Sequence, residues 1–389
     1  MTQRSMSRRS LLLGVTGLTG LAVAMSACGG QTATPSQLAP TPAAASAAAP
    51  AQGTPSGAAG GQQILLNGAG STFDNPLFSK AFSEYGTLHP NVKVNYQSIG
   101  SGAGIQQLTK STVDFGATDA PMSDQQLQDA GGSILHIPIT LGAVAIAYNL
   151  PGVAEGLKFT GAVLGDIYLG KITAWNDPVI VTLNPNQKLS NTPIAVVHRS
   201  DGSGTTDIFT TYLAKVSPAW KTSVGSGTSV NWPVGIGGKG SEGVSGQVKQ
   251  TPGGIGYFEL AYAKGNNLTS TAIDNGTGTY VLPTSDGASA CAAGSAQSLP
   301  ADLRVRIAGC SGESVYPISG FSWVILRQKQ TDQARGAALV NLLWWLVHDG
   351  QSYSSALSYA PLPAPVVKRD EDKLRSVTFQ GKPLLTAGQ

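Results

Sequence analysis

The sequence is short of charge, since charged residues make up only 12% of its 389 residues. The net charge is +3, and residues 1–62 contain three arginines and no other charged residue, so residues 63–389 are formally neutral. A protein that binds nucleic acid needs a basic face to displace counterions, and a neutral body argues against that class. Three cysteines are too few for a disulfide scaffold.

Catalytic and metal-binding motifs are also scarce. The four histidines are scattered without ligand spacing, so we expect no metal site and no cofactor. The stretch 235–240 lacks the hydroxyl residue that follows lysine in a P-loop, and no G-x-S-x-G elbow occurs. His198, Asp201 and Ser203 include the residue types of a nucleophilic triad, but they lie too close in sequence to form one easily. We therefore expect a protein that is not an enzyme.

The composition nevertheless predicts a folded protein. Hydrophobic residues make up 41% of the chain, which is not the composition of a disordered or coiled-coil protein. Residues 63–389 are more than one compact core usually holds, so we expect two lobes.

The first residues have the layout of a secretory signal. Arg8 and Arg9 precede an apolar run over 11–27, which ends in small residues directly before Cys28. This resembles a lipobox, although Met25 departs from the usual leucine, so we predict a signal peptide over 1–27 and lipidation of Cys28. A transmembrane anchor is the alternative, but the run is short and contains three glycines. Twin-arginine export and the general secretory route both remain open.

Residues 28–62 follow as a predicted tether. From residue 29 onward the composition is reduced to Ala, Pro, Ser, Thr, Gln and Gly, which cannot bury enough apolar surface to offset chain entropy. A lipid on Cys28 with such a linker predicts a protein held at the outer face of the cytoplasmic membrane, in a periplasm or at a cell surface.

Strands alternate with helices along the body, which predicts α/β lobes with largely parallel sheets. Short apolar runs rich in β-branched residues predict strands over 92–99, 137–150, 194–199, 254–260 and 319–327. Apolar spacing predicts helices over 74–85, 105–111, 205–215 and 335–348.

Cys291 and Cys310 flank a stretch rich in Gly, Ala and Ser. Outside the cytoplasm, two cysteines left over after lipidation are expected to pair and to close this loop. Two free buried thiols are the alternative. We favour the disulfide because the neighbouring residues look too small and polar for a core.

Glycine turns precede a helix or follow a strand at four places, 68–73, 100–104, 116–119 and 199–205. Ser or Thr caps a helix start in such turns, and the first helical turn has unpaired N–H donors and the positive end of the dipole. A single turn of this kind usually does no more than cap a helix. Four of them in one chain, one beside an arginine, predict an anion site.

Two aspartates in these turns need an explanation, because an acid beside a bound anion is normally repulsive. Asp201 can orient the guanidinium of Arg199, or be an ordinary turn residue. Asp119 can accept a hydrogen bond from an anion that still has a proton and would repel one that has none. Phosphate keeps a proton near neutral pH and sulfate does not, so Asp119 would discriminate between them.

Seven motifs in order resemble those of the phosphate-binding proteins of bacterial high-affinity phosphate ABC transporters. The resemblance covers nearly everything from about residue 65 to 362. The motifs are GAGSTF (68–73), YQSIGSGAGIQQL (96–108), VDFGATDAPMSD (113–124), GDIYLGKITAWND (165–177), VVHRSDGSGTTDIFTTYL (196–213), VNWPVGIGGKG (230–240) and TPGGIGYFELAYAKGNNL (251–268).

The resemblance implies a two-lobed, type II periplasmic-binding-protein fold with phosphate in the cleft. It implies two crossover strands, near 141–149 and 254–258, with one lobe formed by 63–142 and 257–389 and the other by 143–256. Asp201 matches the acid that pairs with the binding arginine. The ligand positions that it implies are Thr72, the backbone N–H of Phe73, Ser101, Asp119, Arg199, Ser203, Gly204 and Thr205.

The chain departs from the family pattern at a few positions. Gly102 stands where the family has a second serine, and Asp74 stands where it has proline after the phenylalanine. The stretch 282–315, which contains both cysteines, also differs. None of these departures removes a matched ligand.

The predicted function is capture of inorganic phosphate and its delivery to the permease and ATPase of an ABC transporter, by a monomer that acts without chemistry. The alternatives are a binding protein for another tetrahedral oxyanion such as sulfate, and a phosphate sensor or adhesin that delivers nothing. Asp119 argues against sulfate, and a neighbouring permease and ATPase would distinguish a transporter from a sensor.

Overall fold

The computed structural model describes residues 63–296 and 299–385. The predicted signal peptide, the predicted lipidation site Cys28 and the predicted linker up to residue 62 lie outside the described residues. No helix in the described part is both long and apolar enough to cross a bilayer.

The described residues contain strands, α-helices and two 3-10 helices that alternate along the chain. The strands are β1 (Ile64–Gly70), β2 (Val92–Ser98), β3 (Phe115–Thr118), β4 (Ile134–Asn149), β5 (Lys158–Phe159), β6 (Ala195–Arg199), β7 (Ile236–Gly238), β8 (Gly254–Glu259), β9 (Thr269–Ser270), β10 (Ala272–Asp274), β11 (Tyr280–Val281), β12 (Ser319–Arg327), β13 (Lys329–Gln330), β14 (Thr378–Phe379) and β15 (Lys382–Pro383). The α-helices are α1 (Asn75–Leu88), α2 (Ser101–Thr109), α3 (Asp124–Asp129), α4 (Gly161–Tyr168), α5 (Pro178–Leu183), α6 (Gly204–Val216), α7 (Pro218–Ser223), α8 (Gly240–Gln250), α9 (Leu260–Gly265), α10 (Ser285–Ala296), α11 (Gln333–Val347) and α12 (Ala364–Arg375). The 3-10 helices are Asp349–Tyr353 and Ser355–Leu357.

One large sheet organises the molecule, in the strand order β2-β1-β3-β12-β4-β8-β6-β7, with β9 also paired to β4. The strands at each end are parallel to their neighbours, whereas β12 and β4 pair antiparallel to each other, β12 to β3 and β4 to β8. The sheet is therefore mixed, and the prediction of largely parallel sheets holds only for its two ends.

Strand β4 runs through the middle of this sheet and changes partner along its length. Residues 134–143 pair with β12, and residues 144–149 pair with β8. Its side chains are buried from 135 to 148, which explains why the strand reads as a nearly continuous apolar run. We call β1, β2, β3 and β12 with their helices the first lobe, and β6, β7 and β8 with theirs the second lobe.

A small sheet lies beside the large one. Strand β10 pairs with β5 and β11, and β9 pairs with Ala147 and Tyr148 of β4. The division of the chain into 63–142 with 257–389 and 143–256 stays a prediction.

Helix α2 begins four residues earlier than the apolar spacing predicts. The predicted start at Ile105 marks the first large apolar residue, but the helix already includes Ser101, Gly102 and Gly104. Small residues give no hydrophobic signal, so the spacing could not show this first turn. Its early start brings the Ser101 side chain to the helix N-terminus.

The first part of the cysteine-containing stretch, residues 285–296, is a helix rather than a loop. Cys291 lies in α10, its Sγ is bonded to that of Cys310, and the two Cα atoms are 5.7 Å apart. Ala288, Cys291 and Ala292 are buried against β4 and β12. The expectation that these residues are too small for a core is therefore wrong, because small side chains allow a helix to pack closely on the sheet.

Candidate functional site

Each predicted ligand residue lies where an element of one lobe meets the other lobe. The turn 71–74 joins β1 to α1, and Asp119 directly follows β3. On the opposite side, β6 ends at Arg199, and α6 begins at Gly204. All of these residues are buried: Thr72, Phe73, Ser101, Asp119, Arg199, Ser203, Gly204 and Thr205.

Asp119 is surrounded by hydroxyl groups from both lobes. Ser71 donates a hydrogen bond to its Oδ1, and Thr205 Oγ1 of the second lobe donates to its Oδ2 at 3.2 Å. Its backbone N–H donates to Ser101 Oγ at 3.2 Å. Burial raises the pKa of Asp119 to about 6, although these hydroxyls and the charge of Arg199 oppose the rise. At neutral pH this carboxylate is an acceptor that faces the interlobe site.

Arg199 and Asp201 form a forked ion pair. Arg199 Nε donates to Asp201 Oδ1 at 2.8 Å, its Nη2 donates to Oδ2 at 2.5 Å, and the N–H of Gly240 reaches Oδ1 at 3.0 Å. Burial opposes both charges, but the pairing outweighs it, raising the pKa of Arg199 and lowering that of Asp201. The guanidinium stays charged and is held in a fixed orientation, with Nη1 left to face Ser241.

Ser241 is a site residue that sequence reasoning missed. Its Oγ lies 3.0 Å from Thr72 Oγ1 and 3.4 Å from Arg199 Nη1, and its N–H donates to Thr72 Oγ1 at 3.1 Å. It occupies the first turn of α8, directly after the glycine turn 237–240. That turn has the same chemistry as the other four, but the sequence marks it only as an incomplete P-loop and as the end of the motif VNWPVGIGGKG (230–240), neither of which indicates Ser241.

Three tyrosines, also missed, fix the turn 71–73. Tyr96 donates to the Ser71 carbonyl at 2.7 Å, Tyr262 to the Thr72 carbonyl at 2.6 Å, and Tyr359 to the Phe73 carbonyl at 2.5 Å. The three carbonyls of the turn are thus engaged, and the Ser71 N–H donates to the Ala117 carbonyl at 2.9 Å, so among the N–H groups of this turn those of Thr72 and Phe73 can serve a ligand. These tyrosines come from distant parts of the chain, so only the fold brings them together.

The two lobes contact each other closely beside Asp119. The N–H of Gly102 donates to the carbonyl of Gly202 at 2.9 Å across the lobes. A Cβ at Gly204 would lie 2.6 Å from the backbone N of Asp119, and one at Gly102 would lie 3.2 Å from the Gly202 Cα. Glycine at these positions allows the backbones to approach.

The residue types of a nucleophilic triad are not arranged as one. His198 Nδ1 lies 3.0 Å from the Arg199 carbonyl, and its ring stacks on Trp232. Ser203 Oγ instead accepts from the N–H of Thr206 at 3.0 Å as a helix cap, while Asp201 pairs with Arg199. Within the described ranges, no group of three or more His, Cys, Asp or Glu is placed to hold a metal ion.

Comparison with known proteins places this geometry in a family. A family model for the PBP superfamily domain matches residues 44–347. The phosphate-binding protein PstS of Xylella fastidiosa (strain 9a5c) is 42% identical over 319 residues, covering 82% of this chain and 87% of the relative. PstS of Haemophilus influenzae is 42% identical over 307 residues, covering 79% and 91%. The chain belongs to the PstS family of phosphate-binding proteins.

Solved structures agree with the fold. The phosphate-binding protein of Stenotrophomonas maltophilia superposes with a TM-score of 0.61 at 18% identity, covering 80% of this chain and 94% of that one. An ABC-type phosphate transport receptor from Vibrio cholerae gives 0.50 at 17% identity, covering 77% and 100%. The chain thus has the two-lobed, type II periplasmic-binding-protein fold of this family.

Two of the three departures from the family pattern, Gly102 and Asp74, lie at the site. Gly102 fits the close approach to Gly202, where a serine side chain would crowd the interlobe contact. Asp74 is fully buried, and its Oδ2 lies 2.7 Å from Ser322 Oγ. Burial, followed by the charge of Asp119, raises the pKa of Asp74 well above its usual value.

Proposed function

We propose that this chain captures inorganic phosphate between its lobes. The observation that carries the proposal is that one buried site contains both an acceptor carboxylate, Asp119, and a guanidinium, Arg199, whose orientation Asp201 fixes. Hydroxyls and helix N-termini from both lobes complete a shell of neutral donors around them. The proposed ligands are Thr72, the N–H of Phe73, Ser101, Asp119, Arg199, Ser203, Gly204 and Thr205, with Asp201 behind the arginine and Ser241 beside it.

Asp119 sets the selectivity in this proposal. Above pH 6 it is ionised, accepts the proton of hydrogen phosphate, and repels a fully deprotonated anion such as sulfate. Arg199 cannot make this distinction, because a guanidinium binds either anion.

The protein releases phosphate unchanged in this account, as a transport receptor and not an enzyme. Lobe closure around the anion replaces its water with fixed donors, and the closed form docks on a membrane permease that an ATPase drives. Membership of the PstS family supports this role. Export, the lipid on Cys28 and the monomeric state belong to the same proposal, as does the division into 63–142 with 257–389 and 143–256.

Equilibrium dialysis of the whole chain against labelled phosphate tests the capture step, after unfolding and refolding to remove any co-purified ligand. We expect one phosphate per chain. Small-angle scattering with and without phosphate then tests closure, with a smaller radius of gyration expected on binding. Absence of binding would overturn the proposal, and binding without compaction would overturn closure but leave capture standing.

A further inference from the structure

Asp74 is an acid at a helix start that does not cap its helix. An aspartate before a first turn normally accepts from the N–H groups there, but the Asp74 side chain makes no such bond with α1. Its side chain is instead fully buried, and within the described residues its Oδ1 has no hydrogen-bond partner. A buried ionised oxygen left without a donor is costly, so this environment favours the neutral carboxyl group.

Ser322 connects this acid to Asp119. Its Oγ lies 2.7 Å from Asp74 Oδ2, 3.1 Å from Asp119 Oδ1 and 3.2 Å from the Thr118 carbonyl. A serine hydroxyl has one proton, so it can donate to only one of these oxygens. If both carboxyl groups were ionised, one of the two short carboxylate contacts would have no proton in it. One proton on the pair completes both hydrogen bonds.

The surroundings decide which aspartate holds that proton. Asp119 also receives hydrogen bonds from Ser71 and Thr205 and feels the charge of Arg199, all of which favour its ionised form. Asp74 has fewer donors, and burial and the charge of Asp119 both disfavour its ionisation. The other ionisable groups that face it are Glu259 from the end of β8 and the phenols Tyr96 and Tyr359, none of which is a cation.

We propose that Asp74 is a positioning residue for phosphate selectivity: its protonated carboxyl group donates to Ser322 Oγ, which in turn donates to Asp119 Oδ1. The inference rests on the proposed function and extends it. The chain of hydrogen bonds holds Oδ1, to which Ser71 also donates, and leaves Oδ2, to which Thr205 donates, with a lone pair for the proton of the anion. It also keeps a second negative charge out of the site.

The test measures the phosphate affinity by calorimetry and the sulfate affinity by competition against labelled phosphate in equilibrium dialysis, both at pH 8, for the whole chain and four variants. In Asp74→Ala and Ser322→Ala, we expect the preference for phosphate over sulfate to fall about 10-fold, the effect of one hydrogen bond to a charged group. Asp74→Asn keeps an N–H donor toward Ser322 and restores the preference to within about 3-fold. The matched control is Asp370→Asn, which alters another fully buried acid, on α12, and leaves the preference unchanged.

Phosphate binding by the unmodified chain tests the proposed function, and the variants test the role of Asp74, so the two can fail separately. An unchanged preference in both alanine variants would overturn the proposal, as would Asp74→Asn binding phosphate more than about 10-fold tighter, because that gain would show an ionised Asp74. If the alanine variants do not fold, carbon NMR of the carboxyl group of Asp74 in the unmodified chain decides. We expect the chemical shift of a protonated acid at pH 7, and that of a carboxylate contradicts us.

Discussion

The two sides of the site shift the pKa values of their aspartates in opposite directions. On the second-lobe side, Asp201 is locked to Arg199 by two hydrogen bonds, and its pKa is lowered. On the first-lobe side, Asp119 and Asp74 share Ser322 without a cation beside Asp74, and burial raises both pKa values. The pair of Asp201 and Arg199 gives the second-lobe side a fixed and nearly neutral charge. On the first-lobe side the charge of the two aspartates depends on their protonation, and that charge can select between anions.

Removing the arginine tests the fixed side and has the largest expected effect. In Arg199→Ala, phosphate affinity falls about 1,000-fold, because truncating one partner of a buried charge pair costs about 2–5 kcal/mol and leaves Asp201 unpaired. Calorimetry measures the loss. Arg335→Ala removes a half-exposed arginine outside the site and serves as the control. A loss no greater in Arg199→Ala than in the control would contradict the role of the pair.

Neutralising the acceptor tests the proton-dependent side. Asp119→Asn keeps the shape but removes the charge that repels sulfate, so we expect the preference for phosphate over sulfate to fall about 100-fold. Competition between the two anions in equilibrium dialysis measures this ratio. If the ratio in this variant equals that of the unmodified chain, Asp119 is not the discriminating group.

The pH dependence of sulfate binding tests the proton-dependent side without a mutation. The pKa of Asp119 is raised to about 6, so the carboxylate that repels sulfate is present above this pH and is lost as the pH falls through it. Protonated Asp119 becomes a donor. Sulfate affinity should therefore weaken about tenfold per pH unit from pH 6 to pH 8, as expected when binding takes up one proton. The Asp119→Asn variant should lose this slope, and a slope that survives there would assign the proton to another group.

Ser241 offers the smallest test of the fixed side. Its hydroxyl lies between Thr72 and Arg199, and Ser241→Ala should weaken phosphate binding about 5-fold, the usual contribution of one neutral hydrogen bond. Ser245→Ala on the same helix removes a buried hydroxyl that donates to the Glu242 carbonyl instead. Equal affinities in these two variants would remove Ser241 from the site.

The sequence predicted the elements that apolar runs and flanking turn residues mark strongly. The predicted strands over 92–99 and 319–327 match β2 and β12 to within one residue. Helices that contain many small residues were the elements that the sequence predicted poorly. Gly102 and Gly104 give the first turn of α2 no hydrophobic signal, and the alanines around Cys291 suggest a loop although they lie in a helix that packs on the sheet.

The site was partly accessible from local motifs, because glycine turns and hydroxyl residues lie next to each other in the chain. Its supporting contacts were not. Ser322 lies 203 positions after Asp119 and reaches it only because β12 pairs with β3 in the sheet. Tyr359 lies 286 positions after Phe73. Long-range contacts of this kind depend on the topology, and no local spacing indicates them.

The most direct measurement of the central claim is a calorimetric titration of the whole ligand-free chain at pH 8, first with phosphate and then with sulfate. The account predicts one-to-one binding of phosphate and no detectable heat from sulfate, because an ionised Asp119 faces the fixed guanidinium of Arg199 across the site. Equal binding of the two anions would contradict it.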